Sequence, residues 1–152
     1  MILPYDDTYY MKKAMQEAET AFEKGEVPIG AVVVIQDRII ARAHNLTELL
    51  NDVTAHAEMQ AITAAANFLG GKYLKDCTLY VTLEPCPMCA TAISFARIQR
   101  VYYGAYDPKG GGVDHGPRVY EHPTCHHAPE VYGGIREAEC AEILKTFFLE
   151  RR

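Results

Sequence analysis

No stretch of this chain is apolar for the roughly 20 residues that a membrane-crossing helix needs, so no membrane span is expected. There is also no internal repeat, low-complexity tract or linker, so solenoid and multi-domain architectures are not expected. Residues 1–7 do not read as a secretory leader, which leads to the expectation of a reducing cytoplasm. An even cysteine count is missing too: Cys77, Cys86, Cys89, Cys125 and Cys140 make five and suggest no disulfide framework. Excess positive charge is absent. The formal net charge is −5, opposite in sign to the basic balance of most domains that wrap nucleic acid, although a local basic patch is compatible with it. What remains is a chain of 152 residues, 49% of them apolar, which reads as a single globular domain over 1–152 with a sizeable core.

Two short stretches carry the chemistry. The first is Thr54-Ala55-His56-Ala57-Glu58 and the second is Pro85-Cys86-Pro87-Met88-Cys89. Zinc prefers nitrogen and sulfur donors in a tetrahedron; structural sites fill four positions, and catalytic sites fill three and leave one for water. His56, Cys86 and Cys89 supply three, and no neighbouring residue is spaced as a fourth. Zinc lowers the pKa of a bound water to about 7. Glu58, two residues beyond His56, is placed to move that water's proton without binding the metal. A lone C-x-x-C reads equally well as a structural zinc knuckle or a redox pair. The joint pattern, with a proline before the first cysteine, points instead to a catalytic zinc, and a closed structural zinc is the other reading. Pro87 suits a first helical position, and the positive end of a helix there would favour the thiolates.

The rest of the chain places these motifs. A first helix capped by Asp6 or Asp7 is predicted to run to about residue 24, with Tyr10, Ala14, Ala18 and Phe22 on one stripe beside Met11 and Met15. Residues 28–35 read as a buried strand, 36–38 as a turn and 39–43 as a returning strand. Residues 45–52 form a polar loop that ends beside the His motif; Asn45 reads there as a turn residue or a substrate contact. Thr54 is the predicted N-cap of a helix over 55–68, stopped by Gly70-Gly71. A third strand over 77–83 leads to Cys86, a helix follows to about residue 97, and 98–104 read as a fourth strand. Residues 105–132 look irregular and contain Gly110-Gly111-Gly112 and the cluster His122, Cys125, His126 and His127, whose spacing matches no standard metal site. A last helix over 136–152 presents Ala141, Leu144 and Phe148 as its apolar face. Alternating strands and helices predict an α/β fold, largely parallel after the opening hairpin, with the zinc residues where strands feed helix N-termini.

The sequence resembles the bacterial tRNA adenosine deaminases, within the cytidine deaminase-like superfamily. The resemblance runs through Glu26-Val27-Pro28-Ile29-Gly30-Ala31-Val32, both site motifs, Thr82 to Ala90, Arg97-Ile98, Val101 to Ala105, Asp107, Lys109, Glu139-Cys140-Ala141 and Phe147 to Arg152. The site motifs mark the superfamily; the later stretches point to the tRNA enzymes. The resemblance implies a three-layer α/β/α sandwich around a five-stranded mixed sheet. It also implies a homodimer, one zinc per subunit and a tRNA anticodon stem-loop as partner. The wobble adenosine would be flipped into a pocket and converted to inosine, zinc-bound hydroxide attacking C6 with Glu58 as proton shuttle. His56, Cys86 and Cys89 would hold the zinc; Asn45, Ala57, Asp107, Lys109, Phe148 and Arg152 would face the substrate. The chain departs from the family pattern at Thr91 and in the run from Gly110 to Gly116.

Two other readings stay open. A free base or nucleoside (guanine, cytosine or adenosine) could be the substrate, in keeping with the acidic charge and the altered glycine loop. Alternatively, the chain could be a catalytically silent, zinc-binding subunit, although such a subunit has no need of Glu58.

Overall fold

A computed structural model describes residues 6–151; Arg152 lies outside them. The elements in chain order are α1 (Asp7–Glu23), β1 (Gly30–Ile35), β2 (Arg38–His44), α2 (Ala57–Leu69), β3 (Thr78–Leu83), α3 (Pro87–Phe95), β4 (Arg100–Ala105), a 3-10 turn (Val119–Glu121), β5 (Glu130–Tyr132) and α4 (Glu137–Glu150). The five strands form one sheet in the order β2-β1-β3-β4-β5. β1 is antiparallel to both β2 and β3, whereas β3, β4 and β5 are parallel. This is the mixed α/β/α sandwich that was expected.

Strand alternation sorts the core into two layers. Ala31, Val33, Leu79, Val81 and Val101 point to one face, where Ala57, Ala61 and Ala65 of α2 and Ala90 and Ile93 of α3 cover them. Val32, Val34 and Tyr80 point to the other, under Tyr10, Met11 and Ala14 of α1 and Cys140 of α4. Small residues let the helices sit close to the sheet. A Cβ on Gly30 would stand 2.5 Å from Ala18 N, and Gly104 faces the buried Cys140 side chain in the same way. On this second face the rings of Tyr80, Tyr102 and Tyr132 stack in sequence across β3, β4 and β5, each pair with centroids 4.9 Å apart.

Several local expectations need correction. α2 begins at Ala57 and not after Thr54: Asp52 Oδ1 accepts both the N–H and the hydroxyl of Thr54, so Thr54 is spent in a turn and His56 occupies the N-cap position. β5 emerges from the stretch read as irregular, because three residues carry too little pattern to reveal a strand. In α4 the buried side chains are Cys140 and Phe147, whereas Ala141 is exposed and Phe148 is 54% exposed. The apolar face is therefore shifted by one residue. α1 follows its predicted stripe: Asp6 accepts from Tyr9 N as the cap, and Tyr10, Met11, Ala14 and Ala18 are buried. Gly70 ends α2 in the left-handed region at φ 72°, as a glycine stop should.

Candidate active site

Two helix N-termini meet at the site. His56 sits at the N-cap position of α2 and Cys86 at that of α3, which Pro87 opens. His56 Nδ1 lies 3.6 Å from Cys86 Sγ and 3.5 Å from Cys89 Sγ. All three donor atoms fall within 4.8 Å of one another, with Cys89 buried and the other two half-buried. A tetrahedral zinc with sulfur at about 2.3 Å and nitrogen at about 2.0 Å sets those donors about 3.5 Å apart. The two nitrogen-to-sulfur distances therefore match a zinc held by all three residues. The groups also bias one another's protonation. The Cys86 thiol is held down to about 4, foremost by its hydrogen bond with Cys89 and also by His56. Cys89 is pushed up by that bond and by burial.

Glu58 lies in the first turn of α2 and is only 4% exposed. Burial pushes its carboxyl up to about 7, against the opposing pull of its own backbone N–H. A carboxyl poised near neutrality beside a metal triangle can both take up and release a proton. Asn45 is buried at the end of β2, and its Oδ1 accepts the Ala57 N–H at 2.8 Å, which ties the 45–54 loop to the start of α2. Ala57 itself is fully buried.

The other predicted residues spread outward. Asp107 and Lys109 stand on the loop after β4, Asp107 partly buried and Lys109 exposed. Phe148 packs its ring against Phe147 on α4, on the opposite face of the sheet from α2 and α3. Among the described residues, the His56–Cys86–Cys89 group is the one cluster that could hold a metal. His122, Cys125, His126 and His127 form no such cluster. His127 Nε2 bonds Ile98 O at 2.7 Å, and Cys125 donates to the His127 carbonyl. Part of this segment lines a groove of 460 Å³ against α3, bordered by Thr91, Phe95 and Val119.

Sequence reasoning missed two glutamates. Glu26 is buried, and its two oxygens accept the N–H groups of Glu48 and Leu49 at 3.0 and 2.8 Å. Glu84 is likewise buried, and it receives N–H groups from the 107–115 segment. Burial pushes its carboxyl up, but those donors outweigh the effect and hold it below the usual range. The available signal at Glu84 was a charged residue directly after a buried strand, whereas Glu26 lies in the connection between α1 and β1.

A mixed α/β/α sandwich with a His/Cys/Cys triangle and a buried glutamate at two helix N-termini defines the deaminase class, whose members are in general zinc-dependent. The chain belongs to the MafB19-like deaminase family, whose model matches residues 5–152. It is 59% identical over 145 residues to the tRNA-specific adenosine deaminase of Agrobacterium fabrum (strain C58 / ATCC 33970), covering 95% of each chain. It is 51% identical over 146 residues to the tRNA-specific adenosine deaminase of Bacillus subtilis (strain 168), covering 96% of this chain and 91% of that one. Among solved structures it resembles one from a study of A-to-I editing by tRNA:A34 deaminases at the wobble position of transfer RNA, with TM-score 0.89 and 60% identity over 90% of this chain and 99% of that one. It also resembles a guanine deaminase from Bacillus subtilis, with TM-score 0.65 and 41% identity over 67% of this chain and 66% of that one.

Proposed function

We propose that this protein is a tRNA-specific adenosine deaminase that converts the wobble adenosine of an anticodon to inosine by hydrolysis. The observation that carries the chemistry is the zinc-sized triangle of His56, Cys86 and Cys89 beside the buried Glu58. The choice of substrate is supported by the relatives that share more than half of the sequence across nearly its whole length.

His56, Cys86 and Cys89 would hold one zinc per subunit. Zinc held there would act as a Lewis acid and make water acidic enough to ionise near neutral pH. Glu58 takes one proton from water and delivers it to N1 of the adenine as the water oxygen bonds to C6, then carries the second water proton to the C6 amine, whose C–N bond breaks to release ammonia. The product is inosine, with the oxygen from water in place of the amine. Asn45 and Ala57 form the wall next to Glu58. Asp107 and Lys109 contact the nucleotides beside the flipped base, and Phe148, on α4, and Arg152 contact the RNA. Residues 1–152 serve as one deaminase domain, working as a homodimer in the cytoplasm.

The test is a deamination assay with zinc-loaded protein on an anticodon stem-loop carrying a wobble adenosine, run beside free guanine, cytosine and adenosine. Turnover of the stem-loop that weakens steeply with salt is the expected result, because RNA binding releases counterions. Turnover of a free base alone overturns the tRNA assignment. A Glu58→Ala variant that retains zinc and loses at least about a hundredfold in rate supports Glu58 as the proton carrier. No turnover by either form would mean a silent subunit.

A further inference from the structure

Glu84 is a charged side chain with no exposed area, one residue short of the Pro85-Cys86 step, and no lysine or arginine is among its hydrogen-bond partners. A buried carboxylate is costly unless hydrogen bonds replace its water. Here they come from one segment. Oε1 accepts from Asp107 N at 3.0 Å and faces His115 Nδ1 at 2.8 Å. Oε2 accepts from Val113 N at 3.2 Å, Asp114 N at 2.9 Å and His115 N at 3.1 Å. The loop therefore wraps the carboxylate from both of its ends.

The same loop lies directly on the metal-ligand segment. Gly112 N donates to Pro85 O at 2.8 Å. A Cβ on Gly112 would stand 2.6 Å from Pro87 N and 2.9 Å from the Cys86 carbonyl carbon. A Cβ on Gly111 would collide with Glu84 Oε2 itself. Asp107 closes the near side, its carboxylate and carbonyl accepting from Gly110 N and Gly111 N at 2.9 Å each. Gly111 and Gly112 are thus required by close approach, Gly111 to the Glu84 carboxylate and the Asp107 carbonyl, Gly112 to the Cys86-Pro87 backbone.

We infer that Glu84 is a positioning residue of the deaminase site: its carboxylate fixes the 107–115 loop, and with it Asp107 and Lys109, against the segment that carries Cys86. The inference rests on the deaminase reading for what the loop contacts, and on the hydrogen bonds for the clamp. Asp107 is held at its backbone by the carboxylate, so its orientation follows from Glu84. Lys109 sits between two anchored points, Asp107 and Gly112, and is placed by them. His115 is the one side-chain donor in the clamp and the mildest place to loosen it.

The experiment compares wild-type protein, Glu84→Gln and His115→Ala. Zinc content, kcat and KM on the anticodon stem-loop, and amide exchange of residues 107–116 are measured on each. Glu84→Gln keeps the shape but replaces one acceptor oxygen by an amide NH2, a donor facing donors. The expected result is zinc content unchanged, kcat/KM lower by about 10- to 100-fold with most of the loss in KM, and faster exchange at Val113, Asp114 and His115. His115→Ala should shift KM in the same direction by a smaller factor. KM at the wild-type value in both variants, despite faster exchange, would reduce Glu84 to a structural residue and overturn the inference. So would wild-type amides at 113–115 that exchange as fast as an open turn. If Glu84→Gln does not fold, His115→Ala and the wild-type exchange decide the matter: an unmoved KM in His115→Ala sinks the inference. Wild-type protein that is inactive on the stem-loop would count against the proposed function, and the exchange pattern of that same protein would still decide for or against the clamp.

Discussion

Asn45 Oδ1 accepts the backbone N–H of Ala57 at 2.8 Å, so the helix carrying His56 and Glu58 is capped by a side chain from the loop before it. A helix leaves its first N–H groups without intrahelical partners, and a buried one that loses its acceptor costs about 1–2 kcal/mol. Asn45→Ala is therefore expected to lower stability by about that amount in urea unfolding. Asn45→Asp retains the acceptor and should recover most of the loss. Equal destabilisation by both variants would show that the cap is not what Asn45 contributes to folding.

Metal occupancy should appear as stability. A ligand that binds only the folded chain adds about 4 kcal/mol at a thousand times its Kd. Stripping the protein with a chelator should lower its melting temperature, and adding back one equivalent of zinc should restore it. Cys86→Ser and His56→Ala should each abolish that response, whereas a substitution of the half-buried Cys125 should leave it intact. A zinc response that survives in Cys86→Ser would place the metal elsewhere.

Alkaline pH should unfold the chain through its buried thiols and phenols. Burial pushes the Cys140 thiol up to about 12 from an ordinary value of 9.0. Cys77, Tyr80 and Tyr120 are raised by burial as well. The folded chain then keeps protons that the unfolded chain has released, so stability falls as pH rises. For Cys140 this contribution is whole below about pH 9 and is lost as pH climbs through about 12. Denaturant midpoints measured over that range should fall, and Cys140→Ala should flatten the slope. A midpoint indifferent to pH across the window would contradict the burial of these groups.

Gly30 should tolerate no side chain. A Cβ there would press into the Ala14 carbonyl and stand 2.5 Å from Ala18 N, both rigid helix backbone. Overpacking of this kind costs about 1–3 kcal/mol. Gly30→Ala should lower the denaturant midpoint accordingly, whereas Gly71→Ala, where the Cβ meets open space, should change it little. Equal effects at the two positions would mean that α1 does not lie against β1 as described.

Most of the sheet and all three donors of the triangle could be read from the residues, because both are written in local pattern. Val32-Val33-Val34 is too apolar for a surface strand, and H-x-E with P-C-x-x-C has fixed spacing. The features that were missed are held by backbone groups distant in sequence. The Glu84 partners stand 23 to 31 residues further on and bond mostly through main-chain N–H, which leaves no mark in composition. β5 exists because β4 offers it a partner edge: Arg100, Val101 and Tyr102 pair with Glu130, Val131 and Tyr132. The phase of α4 could not be read from Phe147-Phe148, where either ring could be the inner one. It is set by Cys140 packing against Gly104 and by Phe147 meeting Phe22 at 5.8 Å. The Thr54 cap failed because Asp52, two residues earlier, competes for the same groups.

The chain contains ten tyrosines and no tryptophan. Its near-ultraviolet signal is therefore dominated by phenol rings, and three of them are stacked in register from β3 to the outer strand β5. Rings so close and so fixed in orientation absorb as a coupled set, and circular dichroism in the tyrosine band will follow the seating of β5 without any added dye or label. A tryptophan introduced beside Tyr132 would collect the excitation of the stack, giving an optical gauge of that edge in a protein with no competing indole.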